Sequence, residues 1–160
     1  MRKRIVNPGA AETVAVSEGS WLNLSEIATV EVISEKEGFP IESVFAGNGG
    51  AGWRAALPGE QLVRIVFDEP VAVSRIQLRF EERERERTQE FSLCWRPSSG
   101  GCREIVRQQW NFSPAGSTAE IEDYAVSLEA VSALELAIWP DIGPGDSVAS
   151  LASWRVGGLG

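Results

Sequence analysis

The sequence predicts an all-β domain, built as a sandwich or as a barrel. Within residues 53–95, three runs at 61–67, 71–80 and 91–95 are rich in Val, Ile, Leu and Phe, and their polar residues fall between apolar ones at a period near two. About eight to ten such short runs follow one another at close spacing along the chain. No stretch is long, periodic and free of β-branched residues, so no long helix is predicted.

The N-terminal part of the chain is predicted to contain two strands, followed by a segment whose sequence is ambiguous between a helical turn and other structure. A short edge strand is expected at 14–16 and a longer strand at 27–33, where β-branched residues disfavour a helix. Pro40 suits the first position of a single helical turn within 39–45. The residues that would share one face of this turn are Ile41, Val44 and Phe45.

Residues 46–52 contain too much glycine for regular structure and are predicted to form a loop. A phosphate-binding loop would need a preceding strand, a following helix and a Lys-Ser/Thr pair, and none of these is present. We therefore expect the glycines to let the backbone pass close to a neighbouring segment.

Beyond the glycine-rich loop, the sequence predicts strands divided by two breaks. The turn 68–70, Asp-Glu-Pro, is expected to end one strand, and the charged block 81–90 is expected to end the next. Neither a repeat nor a linker is visible, so residues 1–160 are predicted to form one domain. The remaining strands are predicted at 104–112, 119–128, 134–139 and 150–156.

The composition favours some partners and opposes others. The chain has 160 residues, of which 43% are hydrophobic, enough for a full core. Its net charge of -8 opposes nucleic acid and anionic membrane surfaces as partners. Histidine is absent, which excludes Ser-His and Cys-His dyads and removes the commonest transition-metal ligand. No apolar run has the length of a secretory signal or a membrane span, so we expect a cytoplasmic protein without membrane insertion.

The two cysteines, Cys94 and Cys102, flank a predicted hairpin turn at 97–101. They are expected to lie near one another, and a disulfide is geometrically feasible but not required. Without a secretory signal, reduced structural thiols are the expectation. Their spacing matches no metal-site pattern, so no metal-binding residue is predicted.

The order of these segments resembles a known family. A Trp-containing loop is followed by the runs 59–67, 68–71, 74–78 and 91–93, a Ser-Gly turn, a further strand, and the runs 134–138 and 150–151. This order is similar to that of the discoidin, or coagulation factor V/VIII C-type, domains and related carbohydrate-binding modules, the galactose-binding-domain-like jelly rolls. The resemblance covers about residues 24–156 and implies fold more strongly than function.

The resemblance implies an antiparallel β-sandwich of the jelly-roll type with little helix. Many such domains bind sugars, and others bind lipids or proteins. Sugar-binding relatives often carry an acidic residue before the Trp that helps to hold a structural calcium, but residues 47–52 contain none. Calcium is therefore not supported, because it requires several oxygen ligands including carboxylates, and no cofactor is expected.

The charged block at 81–90 has two interpretations. Alternating exposed charges keep a loop solvated and prevent edge pairing between sheets. By resemblance, the block is instead a ligand loop, since sugar-binding relatives often place an arginine after the equivalent strand, where its planar fork grips hydroxyls. Arg83, Arg85 and Arg87 are the candidates, and in an extended block they would share one face, with the glutamates opposite.

Six tryptophans are more than a core of this size ordinarily needs. Trp95 and Trp139 lie in apolar alternation and are expected to pack internally. The others of interest lie beside loops or at a strand end, where they either pack or stack on the apolar face of a sugar. These ligand-binding candidates are Trp21, Trp53 and Trp110, the last followed by Asn111.

No catalytic motif is present. The sequence places no two carboxylates together in an apolar pocket and has no Gly-x-Ser-x-Gly elbow, so an enzyme is not expected. The leading interpretation is a non-catalytic domain that binds a carbohydrate. The alternative is a protein-interaction or assembly subunit that has lost the sugar site. The oligomeric state is not predicted.

Overall fold

The computed structural model describes residues 20–45, 51–143 and 145–159. Nine strands and two short helical segments occur in this part of the chain. The helical segments are α1 (Leu24–Ile27) and the 3₁₀ helix Ile41–Phe45. The strands are β1 (Ser20–Trp21), β2 (Ala28–Val32), β3 (Trp53–Pro58), β4 (Gln61–Glu81), β5 (Arg87–Pro97), β6 (Arg103–Phe112), β7 (Ala119–Trp139), β8 (Val148–Leu151) and β9 (Ser153–Leu159).

Two long strands, β4 and β7, run through both layers of the fold. In one layer, residues 61–66 of β4 lie between β2 and the last part of β7. The other edge of β7 pairs with β5, and β5 pairs in turn with β6. In the other layer, residues 72–79 of β4 lie between the first part of β7 and β9, which pairs with β1. All pairings are antiparallel, and β3 forms a separate pair with β8.

The burial of β4 follows from its alternating sequence. In the first half, Val63, Ile65 and Phe67 are buried, whereas in the second half Ile76, Leu78 and Phe80 are buried. The buried positions change from odd to even numbers, because the pairing with β7 shifts register between Val66 and Arg75. This irregularity lets one strand keep its apolar side inward in both layers.

The two layers enclose one apolar core. The rings of Phe80 in β4 and Phe91 in β5 lie 5.2 Å apart and connect the layers, and Trp154 of β9 is fully buried beside Phe45 of the 3₁₀ helix, 6.1 Å between ring centres. The predicted antiparallel β-sandwich with little helix is therefore confirmed. None of the described helices is long and apolar enough to cross a membrane.

Most predicted elements occur, but three boundaries differ. The turn expected at 68–70 does not end a strand, because β4 continues through this exposed stretch, where it has no register partner on β7. The runs 119–128 and 134–139 likewise belong to one strand, and the run 150–156 is divided at Ala152 between β8 and β9.

The segment 39–45, which the sequence leaves undecided, contains the 3₁₀ helix Ile41–Phe45, with Ile41 and Val44 buried. The expected edge strand at 14–16 and most of the glycine-rich loop, 46–50, lie outside the described residues.

Gly158 in β9 lies where no side chain fits. A Cβ atom there would lie 2.1 Å from the backbone oxygen of Ala72 in β4. We expect Gly158→Ala to lower the free energy of unfolding by about 1–3 kcal/mol, the usual cost of overpacking, because β9 has to move away from β4. The control is Gly116→Ala, since a Cβ at Gly116 meets no atom within 4 Å. Urea denaturation of the two variants measures the difference, and equal midpoints would contradict the close approach of the strands.

Candidate functional site

The structure separates the three arginines of the charged block. The block is not extended: β4 ends at Glu81, β5 begins at Arg87, and only residues 82–86 form the loop between them. Arg83 is exposed and lies 3.9 Å from Glu81, and Arg85 pairs with Asp146 in the loop after β7, at 2.8 Å. A shared face for the three arginines requires an extended block, and the chain turns within it, so they do not share one face.

Arg87 is an internal residue, with 3% of its surface exposed. Its Nε donates to Glu82 Oε1 at 2.7 Å, and its Nη1 donates to the carbonyl oxygen of Pro140 at 2.6 Å and to Gln89 Oε1 at 3.2 Å. The guanidinium also lies over the ring of Phe112 at 4.8 Å. These contacts hold the ends of β5, β6 and β7 together, so Arg87 has a structural position and does not face solvent.

A second buried polar group lies next to Arg87. Glu120 of β7 is 0% exposed, and its Oε1 accepts a long hydrogen bond from Gln89 Nε2 at 3.4 Å. Burial raises the pKa of Glu120 to about 9, and the neighbouring Glu122 adds to that rise. Glu120 Oε2 and Arg87 Nη2 are buried without a protein partner.

Partial burial also acts on Glu82, but in its case the charged form is favoured. Burial raises its pKa, and the hydrogen bonds from Arg87 and from the backbone N–H of Glu84 outweigh that effect, so the pKa of Glu82 lies below its ordinary value. Arg87 therefore faces an ionised carboxylate at neutral pH.

The candidate tryptophans lie in three different environments. Trp53 is 1% exposed, and its Nε1 donates to the carbonyl oxygen of Ser34 at 3.1 Å, so it packs in the core. Trp110 is half-buried in β6. Asn111 beside it is exposed, and its Oδ1 accepts from Thr88 Oγ1 at 2.6 Å. Trp21 is the most exposed of these candidates, with 38% of the residue surface accessible.

Trp21 lies at one end of a polar surface on the outer face of the β9–β4–β7 layer. The guanidinium carbons of Arg75 and Arg155 lie 5.0 and 5.4 Å from its ring centre. Asp123 of β7 accepts two hydrogen bonds from Arg75, at 2.9 and 2.6 Å, and one from Gln77, at 3.2 Å. The hydrogen bond from Arg75 lowers the pKa of Asp123 below its ordinary value.

From Arg155 and Gln77 this surface continues into a groove of about 590 Å³. Arg79 and Glu81 form an ion pair within it, at 2.6 Å. Ile121 contributes an exposed apolar side chain. We call this the outer-face groove, and its lining residues are Ser43, Val44, Ala51, Gln77, Arg79, Glu81, Ile121, Ala152, Ser153 and Arg155.

Of the residues on this surface, the sequence singled out Trp21 as a candidate and did not single out the polar residues of the groove. Gln77, Arg79 and Glu81 alternate with the buried Ile76, Leu78 and Phe80, a pattern that predicts a solvent-facing strand side. The alternation therefore predicts that these three side chains lie on the outer face of β4. It does not predict the groove itself, because the walls of the groove include the 3₁₀ helix and Ala51, which lie beside β9.

The two cysteines lie close together, as their spacing predicts, and both are free thiols. Their Sγ atoms and a carboxylate oxygen of Glu135 lie within 4.8 Å of one another. Among the described residues this is the one group of three potential metal ligands. Two sulfur donors do not suit calcium, which requires oxygen ligands, and most of the glycine-rich loop, residues 46–50, lies outside the described residues.

Comparison with known proteins gives matches by structure alone. No protein-family model matches the sequence, and no curated protein sequence does so either. The family 32 carbohydrate-binding module of NanJ from Clostridium perfringens, solved with galactose, is 17% identical with a TM-score of 0.61, over 86% of this chain and 97% of that one.

Two further structures show the same likeness. The module CpGH89CBM32-5 from Clostridium perfringens, solved with GalNAc-β-1,3-galactose, is 13% identical with a TM-score of 0.64, over 86% of this chain and 99% of that one. The C-terminal domain of a chitobiase from Bacteroides fragilis is 15% identical with a TM-score of 0.63, over 88% and 98%. At these identities the likeness shows the fold, the sandwich that the sequence resemblance implies.

Proposed function

We propose that this protein is a non-catalytic carbohydrate-binding domain and that the sugar binds in the outer-face groove beside Trp21. One observation carries the proposal. The exposed Trp21 and a groove lined by planar polar side chains lie on the same face of the same layer. Sugar rings have an apolar face and an edge of hydroxyl groups. A site for them therefore needs an aromatic surface and several donors and acceptors held in place.

The groove provides both hydrogen-bonding functions. Arg79, Arg155 and Gln77 donate, and Glu81 and Ser153 accept. The pair of Arg79 with Glu81 fixes two of these side chains before a ligand arrives, which reduces the entropy lost on binding. The solved modules with similar folds support the proposal, because two of them contain bound sugars.

The positions of the carboxyl groups support a non-catalytic role. A glycosidase needs a general acid with a raised pKa in contact with the substrate. The carboxyl whose pKa is raised to about 9, Glu120, is 0% exposed and faces the core. Asp123 near the groove is paired with Arg75, and its pKa is lowered. This arrangement suits binding, and the described part of the chain places no acid–base pair in the groove.

Glycan binding and its loss on substitution test the proposal. We expect the protein to bind one class of glycan on an array, with confirmation by calorimetry at millimolar sugar. Trp21→Ala and Arg79→Ala are each expected to weaken binding at least about tenfold, equivalent to about 1.4 kcal/mol. The comparison variant is Arg83→Ala, which removes an exposed arginine of the loop 82–86 that does not line the groove and makes only a long contact with Glu81, so it is expected to weaken binding far less than Arg79→Ala does.

Two results would count against this assignment, and a third would remove one variant from the test. Loss of binding in Arg83→Ala but not in Arg79→Ala would move the site to the loop 82–86, as the charged block first indicated. A shift of Arg79→Ala from folded to unfolded, seen by circular dichroism, would make that variant uninformative about binding and leave Trp21→Ala as the deciding variant. A folded protein that binds no glycan at millimolar concentration would contradict carbohydrate binding, and recovery of a stoichiometric protein partner would then favour an interaction subunit.

A further inference from the structure

Three neighbouring strands bring two thiols and one carboxylate together on one face of the sheet. Cys94 of β5 is the register partner of Glu135 of β7. Cys102 lies at the end of the β5–β6 turn, one residue before β6 begins at Arg103. The two sulfur atoms and a Glu135 oxygen lie within 4.8 Å of one another, and Cys102 is exposed.

The carboxylate of Glu135 is oriented by two arginines. Its Oε2 accepts from Arg64 Nε at 3.0 Å and from Arg96 Nε. Its Oε1 faces the thiols and lies 3.7 Å from Cys102 Sγ. Burial raises the pKa of Glu135, but the hydrogen bonds and charges of Arg96 and Arg64 lower it by more than burial raises it. The pKa therefore lies below its ordinary value. One oxygen is thus fixed by its neighbours while the other stays directed at the two sulfurs.

This division of roles is the arrangement found around bound metals, where groups outside the ligand set hold each ligand in position. We propose that Cys94, Cys102 and Glu135 form a site for a soft or borderline divalent cation, Zn²⁺ or Cd²⁺. The two sulfur atoms and Glu135 Oε1 supply three ligands, and water supplies the fourth from the exposed side of Cys102. Thiolate ligands select zinc and cadmium over calcium and magnesium.

A disulfide between the same cysteines is the competing use of this geometry. Burial raises the pKa of Cys102 to about 12, with further contributions from Cys94 and Glu135, and Arg96 opposes the rise. The thiol form of Cys102 is therefore favoured, and thiolate is the species that reacts in oxidation. A bound cation displaces the thiol protons by its own charge, so we expect binding to release protons and to strengthen as pH rises.

Cadmium titration of the reduced 160-residue chain tests the site directly. We expect an ultraviolet thiolate-to-metal absorption band that saturates at one Cd²⁺ per chain and is removed by competing Zn²⁺. Because the chain has two cysteines in total, the band reports on this pair. Cys102→Ser is expected to abolish the saturable band, and Glu135→Gln to weaken binding by more than about tenfold, since even groups that only support a metal ligand contribute that much.

The matched control is Glu60→Gln, which removes an exposed carboxylate from the turn before β4 and is expected to leave Cd²⁺ affinity unchanged. Thermal unfolding of each variant establishes that it is folded. The proposal is overturned if the reduced, folded protein gives no band, if the band persists in Cys102→Ser, or if saturation occurs at one Cd²⁺ per two chains. It is also overturned if the purified protein holds a disulfide and binds no Cd²⁺ after reduction.

Discussion

Replacing Arg87 by alanine is expected to lower the free energy of unfolding by about 3–5 kcal/mol, the cost of removing one partner from a buried ion pair. The substitution leaves Glu82 without its charged partner and leaves Gln89 Oε1 and the carbonyl oxygen of Pro140 without a donor. It also empties the space beside the ring of Phe112. Arg87→Lys is expected to rescue little, because an ammonium group lacks the planar fork that reaches these acceptors together.

The control for Arg87 comes from the same charged block. Arg83 carries the same charge four residues earlier, with 73% of its side chain exposed. Arg83→Ala is expected to change stability by no more than about 0.5 kcal/mol. Urea unfolding followed by tryptophan fluorescence measures both variants, and comparable losses would show that the position of Arg87 inside the fold contributes nothing.

Glu120 is expected to make the protein less stable as pH rises. Its pKa is about 9 in the folded protein, because of burial and the nearby Glu122, against an ordinary value of 4.5. The folded state therefore binds more protons than the unfolded state between these two values. The stabilising effect of the protonated carboxyl is complete below pH 4.5 and is lost as pH rises through the folded pKa. Across this window the loss is at most about 1.4 kcal/mol per pH unit.

The variant Glu120→Gln isolates this effect. Glutamine keeps the shape and the acceptor for Gln89, and it carries no charge, so we expect it to be more stable than the wild type at pH 8 and to remove most of the decline. Urea midpoints of both proteins from pH 5 to pH 8 provide the measurement. The carboxyls whose pKa is lowered, such as Glu82 and Glu135, change the pH dependence of stability only below pH 5. Cys102 changes it only above pH 8. Parallel curves for the two proteins would refute the assignment to Glu120.

The fold class could be predicted from the alternation of apolar and polar residues along the strands. In β4, the residues Val63, Ile65, Ile76 and Leu78 are buried because apolar and polar residues alternate on both sides of the bend. The continuity of β4 past Pro70 was not predictable from turn chemistry. Proline has no N–H to donate, and the structure accommodates it where pairing with β7 is interrupted.

The candidate sites were predicted less well, for two physical reasons. Arg87 lies an even number of residues before the buried Phe91 and Leu93, so the alternation of β5 places it on the buried side of the strand. The charged residues around it nevertheless favoured the prediction of a solvated loop. Glu135, the proposed third metal ligand, lies far in sequence from Cys94 and Cys102, and the β5–β7 register brings it to them. Spacing along the chain cannot reveal a ligand that the sheet supplies.

The passage of β4 and β7 through both layers has a consequence for how the chain folds. Ile65 pairs with Leu134 in one layer, and Leu78 pairs with Glu122 in the other, so both layers depend on contacts between segments that are distant in sequence. Chains dominated by such contacts close large loops before any native pairing stabilises them, and they fold slowly. The β5–β6 hairpin is a local pairing, but it joins the sheet only through β7, so both layers are completed only when the distant strands β4 and β7 have paired.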